Sequence, residues 1–72
     1  MTHNNVRDQY RAPAPNLLRE RELAARWGAS KRTLQRWRAE SYGPPFLRIG
    51  GRILYRLGDV EAFEERNRWA GE

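Results

Sequence analysis

The sequence predicts a small, mainly α-helical domain with one β-hairpin: helix, tight turn, helix, two-stranded ribbon, closing helix. Three observations predict it. Residues 22–38, ELAARWGASKRTLQRWR, read as two short helices broken at Gly28 and restarted at Ser30. Residues 46–55, FLRI-GG-RILY, read as two β-prone runs around a two-residue glycine loop. From Gly58 to Trp69 the apolar residues return to helical spacing.

Residues 1–16 (MTHNNVRDQYRAPAPN) are polar, hold Pro13 and Pro15, and show no apolar period. They read as a flexible N-terminal arm ahead of a domain at residues 17–69, with 70–72 as a short tail. Arg7 and Arg11 could touch a nucleic acid from such an arm, but an unattached tail is the favoured reading. The first helix runs from about Glu20 to Trp27. With Arg19 as its N-cap, Leu18 and Leu23 take the positions of a hydrophobic staple, and Glu20 and Glu22 stand where the helix dipole favours anions. Arg19 has no side-chain acceptor for the first N–H groups, which predicts a frayed start. Leu23, Ala24 and Trp27 face inward, Ala24 being small enough to let a second helix approach. Gly28 can take the left-handed exit conformation at no steric cost.

Ser30 then caps a second helix, about Lys31 to Ala39. With Leu34 set at 0°, Trp37 falls at about 300° and Ser30 at about 320°, so the inward face centres near 330°. Opposite lie Gln35, Ala39, Arg32 and Arg36, at about 100°, 140°, 160° and 200°. Lys31 and Thr33 flank that outward face. Two guanidinium forks and an amide are the groups that read guanine and adenine edges in the major groove. Arg38 lies nearer the core edge, suited to a phosphate or an acidic neighbour. Two helices, a glycine-containing turn and a basic second helix make up helix-turn-helix geometry.

Tyr42–Pro45 ends this helix, with Gly43 and Pro44 as punctuation. In the hairpin, Ile49 opposite Arg52 sets the pairs Arg48 with Ile53, Leu47 with Leu54 and Phe46 with Tyr55. Neither face is then purely apolar, which leaves room for a bulge at Gly51. The tip residues Arg48, Gly50, Gly51 and Arg52 have the form of a wing presenting charge to a DNA backbone or minor groove; the alternative is that the two arginines are plain solvent-exposed strand residues. The closing helix has Asp59 and Glu61 in its first turn and Val60 and Phe63 as its inward stripe. It reads as a brace, and Trp69 as either a cap on the core or a contact with a neighbouring copy. The expected core is Leu18, Leu23, Ala24, Trp27, Leu34, Trp37, Phe46, Ile49, Ile53, Tyr55, Val60 and Phe63. Trp27 and Trp37 could instead stack on bases, but their phase with Leu23 and Leu34 assigns them to the core.

The chain has 72 residues, one domain's length, and a net charge of +5. That charge is segregated. Between Ser30 and Arg56 seven basic residues face one acid, Glu40, a net of +6; elsewhere seven basic residues meet eight acids, a net of −1. A localised basic patch favours a polyanion through counterion release, with steep salt dependence. With no cysteine and a single histidine, His3, in the polar arm, neither a disulfide nor a metal site is expected. No run approaches a membrane span or a signal peptide, so the expected location is the cytoplasm. No nucleophile–base pair, phosphate-cradling loop or cofactor motif is visible, and no enzyme is expected. RNA is disfavoured because a helix cannot enter the narrow major groove of A-form RNA. A protein-interaction module is disfavoured by the concentrated charge.

Across residues 18–68, LLRERELAARWGASKRTLQRWR, GPPFLRIGGRILYR and GDVEAF resemble, in order, the excisionase and AlpA-like branch of the MerR-like helix-turn-helix superfamily. The resemblance implies a winged helix-turn-helix. Ser30, Lys31, Arg32, Thr33, Gln35, Arg36 and Arg38 would belong to or flank the reading helix, and Arg48, Gly50, Gly51 and Arg52 would form the wing. It further implies a bacterial, nucleoid-associated architectural protein of a phage or integrative element. Such a protein binds double-stranded DNA, often as several copies side by side, and bends it so that an integrase can assemble an excisive complex. The alternative is a small AlpA-like transcription regulator at a promoter. The long dimerisation helix and effector region of full MerR-type activators have no counterpart in these 72 residues, so no small-molecule effector is expected.

Overall fold

The structure is a computed structural model that describes residues 16–69; the arm with His3, Arg7 and Arg11, and the tail 70–72, lie outside the described residues. Its elements are β1 (Leu17–Arg19), α1 (Glu20–Trp27), α2 (Lys31–Ala39), β2 (Leu47–Ile49), β3 (Arg52–Arg56) and α3 (Leu57–Arg66). The expected three helices and hairpin are present, and the mainly α, winged helix-turn-helix architecture holds.

The start of α1 is held from outside the helix. Arg19 adopts extended backbone, and its N–H donates to the Glu22 carboxylate at 2.7 Å, the half of a capping box that a cap without an acceptor can still make. Arg19 also closes β1. The expected frayed start is therefore fastened by strand pairing and by Glu22. At the other end, Gly28 has φ 66°; its N–H reaches the Ala25 carbonyl at 3.3 Å and that of Ala29 the Ala24 carbonyl at 2.8 Å, the two bonds of a Schellman exit.

Ser30 caps α2 as expected, its Oγ accepting from the Thr33 N–H at 3.1 Å. The exit of α2 differs from the expected one. The left-handed residue is Ser41, φ 56°, with Ser41 and Tyr42 N–H groups bonded to the Arg38 and Trp37 carbonyls at 3.1 and 2.8 Å. A Schellman motif thus closes on a serine, ahead of Gly43.

The hairpin register is the expected one: Ile49↔Arg52, Arg48↔Ile53 and Leu47↔Leu54, with no bulge needed. Gly50 (φ 57°) and Gly51 (φ 78°) both lie in the left-handed region that a type I′ tip requires. Phe46 stands outside the ladder, and its expected pairing with Tyr55 survives only as a ring contact at 6.4 Å. The sheet has a third strand that no sequence pattern signals. β1 pairs antiparallel with β3 (Leu17↔Arg56, Leu18↔Tyr55, Arg19↔Leu54), giving the order β1-β3-β2. The three residues of β1 are too few to show alternation.

Leu23, Ala24, Leu34, Tyr55 and Val60 form the buried core, with Leu18, Trp27, Trp37 and Ile53 packed against it. An aromatic layer adjoins it: Trp27, Trp37 and Tyr42 surround Phe63, with ring centroids 5.5, 6.3 and 5.7 Å from it. Two expected core residues lie outside. Phe46 is 37% exposed, and Ile49, beyond the reach of the helices at the hairpin tip, is 55% exposed. The closing helix starts one residue earlier and stops three earlier than expected. Asn67 caps it, its side-chain amide donating to the Phe63 carbonyl at 2.8 Å. Trp69, past that stop, is 87% exposed and does not cap the core.

Candidate nucleic-acid interface

The α1–turn–α2 pair presents α2 with one face committed to the core through Leu34. On the opposite face Lys31, Arg32, Gln35, Arg36 and Ala39 are all exposed, as the 100° rotation per residue requires. Ser30 is exposed, and its hydroxyl is spent on the cap. Thr33 is half-buried, with its hydroxyl 3.1 Å from that of Ser30, so the two form a local pair at the start of the helix.

Arg38 has gone to the acidic neighbour. Its guanidinium pairs with Glu20 of α1, reaches the Tyr55 hydroxyl at 3.5 Å and lies 5.6 Å from the Phe46 ring centroid. Only 17% of its side chain and 13% of that of Glu20 remain exposed. Burial works to lower the Arg38 pKa, but the hydrogen bonds to Glu20 and Tyr55 outweigh it, and the net shift is upward. Arg38 thereby ties α2 to α1 and the sheet, and its charge is answered within the molecule.

Arg26 is committed in the same way. It makes a two-pronged bridge to Glu64 of α3 at 2.6 and 3.0 Å, and Trp27 Nε1 donates to the same carboxylate at 2.7 Å. Hydrogen bonds from Arg26 and Trp27 hold the Glu64 carboxyl at about 2, well below its usual 4.5. Among the described residues the ion pairs include those of Arg26, Arg38 and, with Glu65, Arg68. Lys31, Arg32, Arg36, Arg48, Arg52 and Arg56 are exposed and enter none of these pairs. Charge left unanswered by these acids is therefore concentrated on the outward face of α2 and on the hairpin. Arg21 of α1 borders the same region, and Arg66 of α3 lies over the Phe63 ring.

These two elements border one groove. Lys31 at the start of α2 and Arg52 at the base of the tip line one open groove of about 280 Å³ together with Arg19, Glu20 and Arg21. Cross-strand partners share a sheet face, so Arg52 lies on the face of Ile49, while Arg48 lies with Ile53 on the other. The hairpin therefore carries one arginine on each face, as the register expected from the sequence implies.

The helix-turn-helix domain family matches residues 17–68. The chain belongs to it. No curated protein and no solved structure matches the chain significantly. In this helix-turn-helix domain α1 is the supporting helix, α2 the helix offered outward, and β2–β3 the wing. Membership indicates binding to double-stranded DNA. No helix among the described residues is long and apolar enough to cross a membrane.

Two features of the domain are not visible in the sequence pattern. Glu20 and Glu64 are the acids that decide which arginines stay available, yet they lie 18 and 38 residues from their partners, beyond any local spacing rule. Ile49 reads as core by its residue type, whereas its place beside the glycine loop is the signal that it projects.

Proposed function

We propose that this protein is a sequence-specific architectural factor, an excisionase that binds and bends double-stranded DNA near an attachment site. In this reading α2 lies in the major groove, where Arg32, Gln35 and Arg36 meet base edges and Lys31 meets phosphate. The wing rests on the adjacent backbone or minor groove through Arg48 and Arg52. Bending brings the sites of an integrase together and favours excision of the surrounding element, with further copies of the chain bound alongside. The role is architectural, and no bond-making step is assigned to the chain.

The observation that carries the reading is the sorting of charge: Arg26 and Arg38 are paired against the body, while the cations of α2 and the wing are spared, and Lys31 and Arg52 of those two elements line one groove. The resemblance across residues 18–68 is to a branch that holds both excisionases and AlpA-like regulators, so the two readings are separated by the target site. The test is footprinting on the attachment region of the host element, with protein titrated to expose cooperativity, alongside an excision assay with the cognate integrase. Protection beside the attachment core and integrase-dependent excision are expected. Protection confined to a promoter, with no effect on excision, would transfer the protein to the regulator class.

A further inference from the structure

We infer that Ile49 is a wedge: the wing inserts its side chain between two stacked base pairs and thereby kinks the bound DNA. This rests on the DNA-binding reading above and names how that site would deform its ligand. Four observations lead to it. Ile49 is one of the few large apolar side chains of the described residues that stand half exposed or more. It occupies the last strand position before the Gly50–Gly51 tip, and a Cβ built at either glycine meets nothing within 4 Å, so no part of the described molecule covers that end. It stands directly opposite Arg52, on the same sheet face, and Arg52 shares a groove with Lys31 of α2. Arg48 lies on the opposite face of the same ribbon.

A single exposed aliphatic residue is ordinary on a protein surface and would carry nothing by itself. Its placement gives it meaning. A wing that only touched phosphates would be served at this position by a polar residue, which costs nothing in water. Here Ile49 and Arg52 project from the same face beside the open tip, so a wing laid with that face on the minor groove would set the isoleucine against the base stack and the Arg52 guanidinium beside it toward a phosphate, leaving Arg48 on the far face. Apolar wedges flanked by basic side chains are how minor-groove proteins unstack a step and kink the duplex by roughly 20–90°. The unstacking is least costly at flexible pyrimidine–purine steps, which would add sequence preference at a position read without hydrogen bonds.

The experiment uses the full chain and a duplex recovered from a random-sequence library by selection with that chain. Bending is followed by end-to-end energy transfer, and unstacking by 2-aminopurine placed at each step in turn. The parent should bend the duplex and brighten one step near the wing. Ile49→Ala should lose the bright step and most of the bend, with affinity reduced about three- to tenfold and the salt slope unchanged. Ile49→Leu should keep both signals. Ile49→Thr keeps the β-branched shape favoured in a strand but is polar, and should behave as Ile49→Ala. Thermal melts of the variants should match the parent, because the side chain lies outside the core. A single mismatch at the bright step should raise parental affinity about tenfold and leave Ile49→Ala unmoved, since the unstacking is then already made. Equal bending and brightness in parent and Ile49→Ala would overturn the wedge while leaving DNA binding intact. The wedge is equally overturned if Ile49→Ala loses only self-association, which would make the tip a protein contact. Absence of salt-dependent binding by the parent would instead remove the DNA-binding reading itself.

Discussion

Arg38→Ala separates the structural arginines from the DNA-facing ones. An exposed ion pair contributes roughly 0–1 kcal/mol, whereas removing one partner of a fully buried pair costs about 3–5 kcal/mol because the other charge is stranded. With 17% and 13% of the two side chains exposed, the Arg38–Glu20 pair stands nearer the buried limit. Truncation also removes the Tyr55 hydrogen bond and the stacking over Phe46. We expect a loss of about 2–3 kcal/mol, from a domain that holds roughly 3–8 kcal/mol in all. At about 4–8 °C per kcal/mol the Tm should fall by about 8–24 °C. The assay is thermal unfolding of parent, Arg38→Ala, Glu20→Gln and the double variant, with DNA binding measured across salt at a temperature where all are folded. The double variant should recover part of the loss, a coupling of about 1–2 kcal/mol. Arg38→Ala should leave the salt slope unchanged, while Arg52→Ala should make it shallower by about 0.9. An Arg38→Ala protein as stable as the parent, but with the shallower slope, would put that guanidinium on a phosphate and refute the ion-pair assignment.

Three further outcomes are expected. Arg36→Ala should weaken binding by about 1–3 kcal/mol and relax preference at one base position, read by selection from a randomised site; a uniform loss across sequences would move Arg36 to the backbone. Glu64→Gln should cost about 1 kcal/mol at neutral pH, the pair being partly exposed. The Glu64 carboxyl is held low in the folded state, so its contribution is complete above about pH 4.5 and is lost as pH falls toward 2. Melts over that window should therefore be flatter for Glu64→Gln than for the parent, and parallel curves would dismiss the bridge. Ser41→Gly should stabilise the fold by about 0.5–1 kcal/mol in chemical denaturation: a left-handed L-residue costs about 1–2 kcal/mol, partly offset by the greater freedom of glycine in the unfolded chain. A less stable variant would mean that the serine side chain holds the exit of α2.

Much of the fold is legible in the sequence because its signals are local. Gly28, Ser30 and the Gly50–Gly51 pair each state a backbone requirement that neighbouring residues cannot override, and the first two helices and the hairpin register follow from them. β1 is not legible. Leu17, Leu18 and Arg19 become a strand only because β3 offers a free edge, a fact carried by residues almost 40 positions away. The exit of α2 is not legible either: Gly43 and Pro44 read as the punctuation, but the backbone turns left-handed already at Ser41, and Gly43 (φ 102°) serves a close approach to Trp37, where a Cβ would stand 3.4 Å from that ring. The outward face of α2 can be read from the rotation of the helix alone, since one buried residue, Leu34, fixes the phase of the rest.

What the helical wheel cannot supply is which arginines are free. Sequence charge counts Arg26 and Arg38 like any others, but Glu20 and Glu64 each draw one arginine onto the body of the domain, pinning α2 to α1 and α1 to α3. The same acids that brace the fold thus sharpen its field: the cations they spare concentrate on α2 and the wing, where steering of a polyanion needs them. The paired variant Arg38→Met with Glu20→Gln shows the distinction in one molecule. It has the parent's net charge and keeps every cation of α2's outward face and the wing, so its affinity for DNA should match the parent's although its stability does not. Removal of Arg52 alone lowers the charge by one and acts on the DNA directly. Net charge is therefore the wrong variable for this domain, and the count of unanswered cations on α2 and the wing is the right one.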